Sequence, residues 1–333
     1  MDTFKAVVVD KQGDSFSLGL RELSMTDLPM GDVTVRVAYS SINYKDGLAA
    51  TPSGRVVRAY PIIPGVDLAG TVIASADSRW REGDEVFATG WGMGTDVFGG
   101  YSEYARVSGD WLTARPSGLS LREAMIVGTA GFTAALSIHR LEASGLTVDS
   151  GKVLVLGATG GVGSHAVAML ARAGYEVTAS TGKASEHAYL RSLGAKEIIG
   201  REALLPAEGD RKPMRSEQWA AAVDPVGGAS LAYVLSTLRY GGSVALSGVT
   251  GGGEFPATVY PFILRGVNLL GIDSVYASPQ LREQLWLRIG SDWKPPQLEA
   301  MVSSEISLEQ LPGALPAILS GGVRGRTIVR ISR

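Results

Sequence analysis

The sequence predicts an α/β protein of two domains, a barrel-like β domain and a doubly wound parallel one, and three observations carry that expectation. At 333 residues the chain exceeds the range that a single hydrophobic core usually serves. Its early part holds short runs of β character divided by turn residues, and from about residue 126 apolar strands alternate with helix-period segments. Between the first of those strands and the helix after it lies a glycine-rich turn, Gly157 to Gly163.

The β-type runs are Phe4 to Val9, Phe16 to Arg21, Val33 to Ser40, Gly70 to Ile73, Glu85 to Ala88 and Tyr104 to Val107. Lys11-Gln12-Gly13-Asp14, Pro29-Met30-Gly31-Asp32 and Glu82-Gly83-Asp84 supply turns between them, since glycine reaches left-handed backbone and Asp and Pro favour reversal. Short strands at this spacing suit a compact barrel.

In the second part a helix is expected over Phe132 to Leu141. Strand Val153 to Leu156, helix Val162 to Ala173 closed by Gly174, and strand Glu176 to Ala179 then make a βαβ unit. A helix from Glu186 to Leu193, stopped by Gly194, leads to strands Glu197 to Ile199, Ala220 to Val223, Ser243 to Leu246 and Asn268 to Leu270. Parallel strands with helices on both faces are the doubly wound arrangement. After about residue 300 the pattern gives strand Ile306 to Leu308, helix Leu311 to Leu319 and strand Arg326 to Ile331, the last returning to complete the sheet of the first domain. The domains are therefore expected at 1–125 with 300–333, and at 126–299. Residues 206–217 (PAEGDRKPMRSE) have the texture of a mobile loop.

Composition narrows the function. Hydrophobic residues at 45% and charged residues at 19% exclude a disordered chain, and a net charge of -2 supplies no field for nucleic acid or an anionic membrane. Partners are expected to be small molecules or a second copy. The opening strand contains Lys5 and lacks the apolar stretch of a secretory signal, and no uninterrupted apolar run reaches the roughly 18 residues of a membrane span, so a soluble cytoplasmic protein is expected. With no cysteine, and with His139, His165 and His187 scattered, no metal site is expected.

Gly157-Ala158-Thr159-Gly160-Gly161-Val162-Gly163 fits the dinucleotide fingerprint with Ala158 in the first glycine position. Gly160 would let backbone approach a pyrophosphate, Gly163 would let helix pack on strand, and the helix N-terminus would face the phosphate charge. The alternative is a glycine turn chosen only for packing. At the end of the next strand, where an NAD site carries Asp or Glu, stand Ser180-Thr181-Gly182-Lys183. Hydroxyls and a cation suit a 2′-phosphate, so NADPH is the expected cofactor, with Ser185 and Arg201 as further donors or plain surface residues. Asp224, Ser247 and Gly248 fall beyond other strand ends, where ligands bind in open α/β sheets; Asp224 equally suits a helix cap.

Without a Lewis acid, simple alcohol oxidation is disfavoured and reduction of an alkene conjugated to a carbonyl is favoured, because hydrogen-bond donors suffice to stabilise the enolate. The candidate donors lie in Ser40-Ser41-Ile42-Asn43-Tyr44-Lys45-Asp46-Gly47: Tyr44 to bond substrate or cofactor, Asn43 and Asp46 to orient it. A buried turn with Asp46 capping a helix is the competing reading. Trp91, Arg55 and Arg58 are candidates for a substrate mouth.

Asn43-Tyr44-Lys45-Asp46, Pro64 to Val72, Glu82-Gly83-Asp84-Glu85-Val86, Gly128 to Ala134 and Gly157 to Gly163 resemble, across essentially the whole chain, the zinc-free quinone oxidoreductase branch of the medium-chain dehydrogenase/reductase superfamily. Ser41 to Ala49, Leu193-Gly194-Ala195 and Pro261 to Val267 are most like NADPH-dependent acrylyl-CoA reductases. The resemblance implies a GroES-like catalytic domain split around a Rossmann domain, a homodimer, and reduction of acrylyl-CoA to propionyl-CoA. It also implies that Tyr44 contacts the cofactor, that Gly160, Gly161, Val162, Gly163 and Ser164 hold the pyrophosphate, and that Ser180, Thr181, Lys183 and Arg201 lie near the adenosine phosphate; Thr133, Ser185, Ser247 and Gly248 complete the expected cofactor set. Gly47, where many relatives carry Ala, is expected to alter the substrate cleft.

Overall fold

A computed structural model describes residues 3–13, 15–205 and 212–332. It divides into two compact units, Met1–Thr129 with Val275–Gly290 and Leu298–Arg333, and Ala130–Ser274 with Ser291–Gln297. The 206–211 part of the expected loop and Asp14 of the first turn lie outside the described residues.

The first unit is built on a seven-stranded sheet. Val302–Ser307 runs parallel to Arg326–Arg330, and antiparallel pairings then follow through Val33–Ser41, Asp67–Ser75, Glu85–Thr89 and Thr113–Ala114, with Tyr104–Val107 also on Val33–Ser41. A hairpin of Thr3–Gln12 and Ser15–Ser24 stands beside it, its turn entered through Gly13 at φ +61°. Period-two alternation explains the central strand: Val33, Val35 and Val37 are buried with Leu68, Val72 and Val86, while Arg36 points to solvent. Arg326–Arg330 does close the sheet, pairing Ile328 with Ser41.

Three departures from expectation occur in this unit. Segment Val275–Gly290, expected in the second domain, packs with the first, because Trp286 lies 4.3 Å from Phe87 ring to ring and Arg282 Nη1 donates to Thr89 Oγ1 at 3.0 Å. The strand expected at Ile306 to Leu308 runs instead over Val302–Ser307. The helix expected from Leu311 divides into Leu311–Ala314 and a 3₁₀ stretch, Leu315–Ser320, where Pro316 withholds the N–H that an α-helix would bond four residues back.

The second unit is a six-stranded parallel sheet in the order Glu197–Gly200, Val177–Thr181, Val153–Val155, Trp219–Asp224, Leu238–Leu246, Asn268–Gly271. Its central strands are apolar throughout because both faces are covered; Val153, Leu154 and Val155 are all buried. Gly161–Arg172 follows the first strand as a helix, and further helices are His187–Ser192, Gly228–Thr237 and Tyr260–Arg265.

Leu121–Ala143 is long and apolar enough to pass for a membrane span by length and composition, which the uninterrupted-run criterion missed. It is broken at Gly128, at φ 49° and ψ -157°, and 83% of its apolar window is buried inside the protein. It is a core element.

Candidate active site

Asn43 stands in extended backbone immediately before the six-residue helix Tyr44–Ala49. A helix so short has no stability of its own. Asp46 fixes it: Oδ2 accepts from Asn43 N at 2.8 Å and Oδ1 from Val66 N at 2.9 Å, so this carboxylate ties the first turn to the neighbouring strand. Tyr44, the first helical residue, is 37% exposed. Its two flanking candidates are not: Asp46 is 1% exposed and Asn43 is buried with its polar atoms engaged. Of the residues expected to carry chemistry here, Tyr44 alone presents its side chain to solvent.

Behind the helix lies a charged network that the sequence reading did not assign. Asp67 Oδ2 accepts from Ser41 Oγ at 2.6 Å and from Asn43 Nδ2 at 2.8 Å, and Oδ1 accepts from Thr129 Oγ1 at 2.6 Å. Arg326 donates from Nε to the Ile126 carbonyl, from Nη1 to Asn43 Oδ1 at 3.0 Å and to the Ile42 carbonyl, and from Nη2 to Ser41 Oγ at 2.6 Å. It also lies 3.6 Å from Asp67 Oδ2, with both side chains essentially inaccessible. Gly128 is required at the crowded centre, since a Cβ there would come within 2.8 Å of Arg326 Nη2 in a left-handed backbone. Burial, then the Asp67 charge, push Asp46 up to about 6. Burial also drives Tyr101, whose hydroxyl donates to the Ser41 carbonyl at 3.2 Å, well above the usual phenol range. A hint was present in the sequence: Arg326 stands at the start of a strand whose next three residues, Thr327, Ile328 and Val329, are buried, where a charge needs a partner.

Gly47 faces inward. A methyl there would strike Ile318 and press on Leu319, so the residue serves close packing against 315–320 and does not border a cleft. Arg58 pairs with Asp96 at 3.1 Å, and Arg55 is exposed with φ 52°.

In the second unit the glycine turn divides its labour. At Gly163 a Cβ would collide with the Gly157 carbonyl and lie 2.7 Å from Ala158 Cα, so this glycine is demanded by packing. Gly160, the N-cap of Gly161–Arg172, would meet only the Gly157 carbonyl, at 3.4 Å. Folding leaves that position open, as close approach of a ligand would require, and half-buried Gly161 and Val162 begin the helix behind it. Ser164 is fully buried with its hydroxyl turned to the Ala158 carbonyl at 3.2 Å. Ala158 N donates to the Ser180 carbonyl at 3.0 Å, which ties the turn to the next strand end. There Ser180 and Thr181 are buried, Lys183 N donates to Thr181 Oγ1, Ser185 is exposed, and the Arg201 side chain lies against Gly182, its Nε 2.9 Å from where a Cβ would stand. The structure thus gathers Ser180, Thr181, Lys183 and Arg201 at one strand end. Asp224 Oδ1 accepts from Val226 N and Gly227 N, holding the turn before helix Gly228–Thr237, and burial raises its pKa. Ser247 N donates to the Asp224 carbonyl and Gly248 packs on Pro225, while Thr133 Oγ1 donates to Ser274 Oγ at 2.8 Å.

A fingerprint turn on a parallel sheet, with hydroxyls and cations at the second strand end, fits a nicotinamide dinucleotide and defines a nicotinamide-dependent oxidoreductase. The family model described as alcohol dehydrogenase GroES-like domain matches residues 29–117, and that described as zinc-binding dehydrogenase matches 161–287. The chain belongs to the medium-chain dehydrogenase/reductase superfamily. Zinc does not fit its residues: cysteine is absent, and the described residues contain no group of three His, Cys, Asp or Glu placed to hold a metal. The chain is 51% identical to the acrylyl-CoA reductase AcuI of Ruegeria pomeroyi over 99% of each chain. It is 56% identical to a Bacillus subtilis protein, YhfP, named a quinone oxidoreductase, over 98% of this chain and 99% of that one. YhfP has been crystallised with NAD bound, with a TM-score of 0.96 over 99% of this chain and 100% of that chain. The yhdH oxidoreductase of Salmonella enterica, in complex with NADP, is 46% identical with a TM-score of 0.94, over 98% and 100%. The protein is a nicotinamide-dependent oxidoreductase of this superfamily.

Proposed function

We propose that this protein reduces the activated double bond of acrylyl-CoA, or of a similarly short enoyl thioester. Bound NADPH supplies the hydride, which reaches the β-carbon. Negative charge then develops on the thioester carbonyl oxygen, and the Tyr44 hydroxyl donates a hydrogen bond to it; a proton taken up from solvent at the α-carbon completes the saturated product. Asn43, Asp46, Asp67 and Arg326 hold the helix start from which Tyr44 projects. Gly160 to Ser164 take the pyrophosphate, and Ser180, Thr181, Lys183 and Arg201 the adenosine phosphate. The observation that carries the reading is a solvent-facing tyrosine on a first turn locked from behind by buried charges, and identity to acrylyl-CoA reductases supports the choice of substrate. Likeness to YhfP favours a quinone or other enone as the second reading.

The deciding experiment follows NADPH oxidation against acrylyl-CoA, longer enoyl-CoA thioesters, free enones and quinones. Acrylyl-CoA should give the highest kcat/KM; a flat response to every thioester defeats the proposal. Tyr44→Phe should lower kcat on the order of a hundredfold, as loss of one oxyanion donor does, while NADPH affinity stays constant. An unchanged kcat removes Tyr44 from the mechanism. We further place the protein in the cytoplasm as a homodimer.

A further inference from the structure

Beyond strand Glu85–Thr89 the backbone stays in the left-handed region for three residues running: Gly90 at φ +82°, Trp91 at φ +56° and Gly92 at φ +75°. Glycine enters that region freely. A tryptophan does not, and bulky residues persist there only where their surroundings over-determine them. At Trp91 they do. Gly90 N donates to the Val66 carbonyl at 2.9 Å, and Asp96 N donates to the Gly92 carbonyl at 2.8 Å. Arg282, buried, lies 4.6 Å from the centre of the Trp91 ring while it donates to Thr89 Oγ1 and to the Val275 carbonyl at 2.9 Å. One face of the indole is gripped by that cation. The indole Nε1–H is nevertheless buried with no acceptor among the described residues, an uncommon condition for a buried donor.

The contact with Arg282 stabilises the indole, yet it leaves the left-handed backbone and the buried N–H without a structural reason, since glycine at 91 would follow the same backbone without steric cost. Location supplies the reason. Val66, which takes the Gly90 N–H on its carbonyl, gives its own N–H to Asp46, so Trp91 stems from the junction that also anchors the Tyr44 helix.

We propose that Trp91 is a specificity-determining residue that touches the substrate, the indole turning to give its N–H to a carbonyl oxygen of the acyl thioester while its ring bounds the space left for the acyl chain. The proposal rests on the thioester reading above. A thioester carries a carbonyl acceptor beside the alkene and a planar acyl group against which an indole packs, so one side chain serves both contacts.

Indole ¹⁵N–¹H spectra of the full-length protein with NADP present test it. The Trp91 signal is the one missing from Trp91→Phe, and it should move on titration with propionyl-CoA. In Trp91→Gly, kcat/KM for acrylyl-CoA should fall about tenfold and crotonyl-CoA gain on acrylyl-CoA by a similar factor. Trp91→Phe, keeping the ring, should lose less in kcat/KM and leave the crotonyl-to-acrylyl ratio within about twofold. A stationary Trp91 signal at saturating propionyl-CoA, or unchanged kinetics in Trp91→Gly, overturns the proposal. If the wild-type protein reduces quinones and no thioester, the substrate reading fails separately. The same titration with the accepted quinone then decides Trp91: a moving signal keeps the substrate contact, and a stationary one rejects it.

Discussion

Asp46 accepts two backbone N–H groups while burial and Asp67 raise its pKa from 3.8 to about 6. Between those values the native protein holds a proton that the unfolded chain has released, so stability falls as pH rises through this window. The penalty, on the order of 3 kcal/mol, is absent below the lower value and complete above the upper one. A carboxyl carbon NMR titration should therefore give Asp46 a midpoint near 6; a midpoint in the ordinary aspartate range contradicts the account. Asp46→Asn leaves one of its two N–H partners facing an amide NH₂, and urea unfolding should register a loss of about 1–3 kcal/mol. At the other site, Arg201→Ala should raise KM for NADPH about tenfold with NADH little changed, as expected for a lost cation on a phosphate. Parallel changes for both nucleotides would remove Arg201 from the 2′-phosphate. Reading single residues from the sequence was weakest here. The bond from Asn43 N to Asp46 is local and fits the capping reading of Asp46, but the engagement of Asn43 with Asp67 and Arg326 depends on contacts as far as 283 residues apart, which no local pattern encodes.

Helix Gly161–Arg172 and its flanking strands were legible because period, glycine placement and motif coincided in a stretch of about thirty residues. Helices Gly228–Thr237 and Pro279–Ile289 were not. The first is apolar over most of its surface and so has little periodic contrast, and the second opens with Ser278 and Pro279, a start signal easily read as a turn. The turn before Gly161–Arg172 makes a sharp prediction, because its glycines exist for different reasons. Gly163→Ala forces backbone apart and should cost about 1–3 kcal/mol in denaturant unfolding. Gly160→Ala has room for its methyl and should unfold like wild type, yet bind NADPH more weakly by about tenfold or more, a difference that fluorescence titration reads directly. Equal destabilisation by both, with NADPH affinity intact, would mean that the turn is glycine-rich for packing alone.

The doubly wound sheet ends at Asn268–Gly271, and the preceding helix Tyr260–Arg265 leaves Tyr260, Ile263 and Leu264 exposed, Ile263 to 69%. Apolar exposure next to an edge strand supports self-association through this part of the second unit. If the proposed homodimer forms through this face, Ile263→Glu should shift the mass measured by light scattering from dimer toward monomer; an unchanged dimer mass, or a monomeric wild-type protein, would reject this face as the contact. Domain order was readable in outline from the change of texture near residue 126, whereas the return of 275–290 to the first unit was hidden, since it depends on Phe87, Thr89, Arg282 and Trp286 meeting in three dimensions.

Arg326 is supplied by the last strand, whereas Ser41, Asn43, Asp46 and Asp67 are synthesised early. During translation the acidic pocket beneath Tyr44 must wait, hydrated and unneutralised, until the ribosome has released the residue that balances it. Closing so long a loop makes this pocket a late event in maturation. A nascent chain halted before that strand carries every group that would face substrate and lacks the cation that holds them in register.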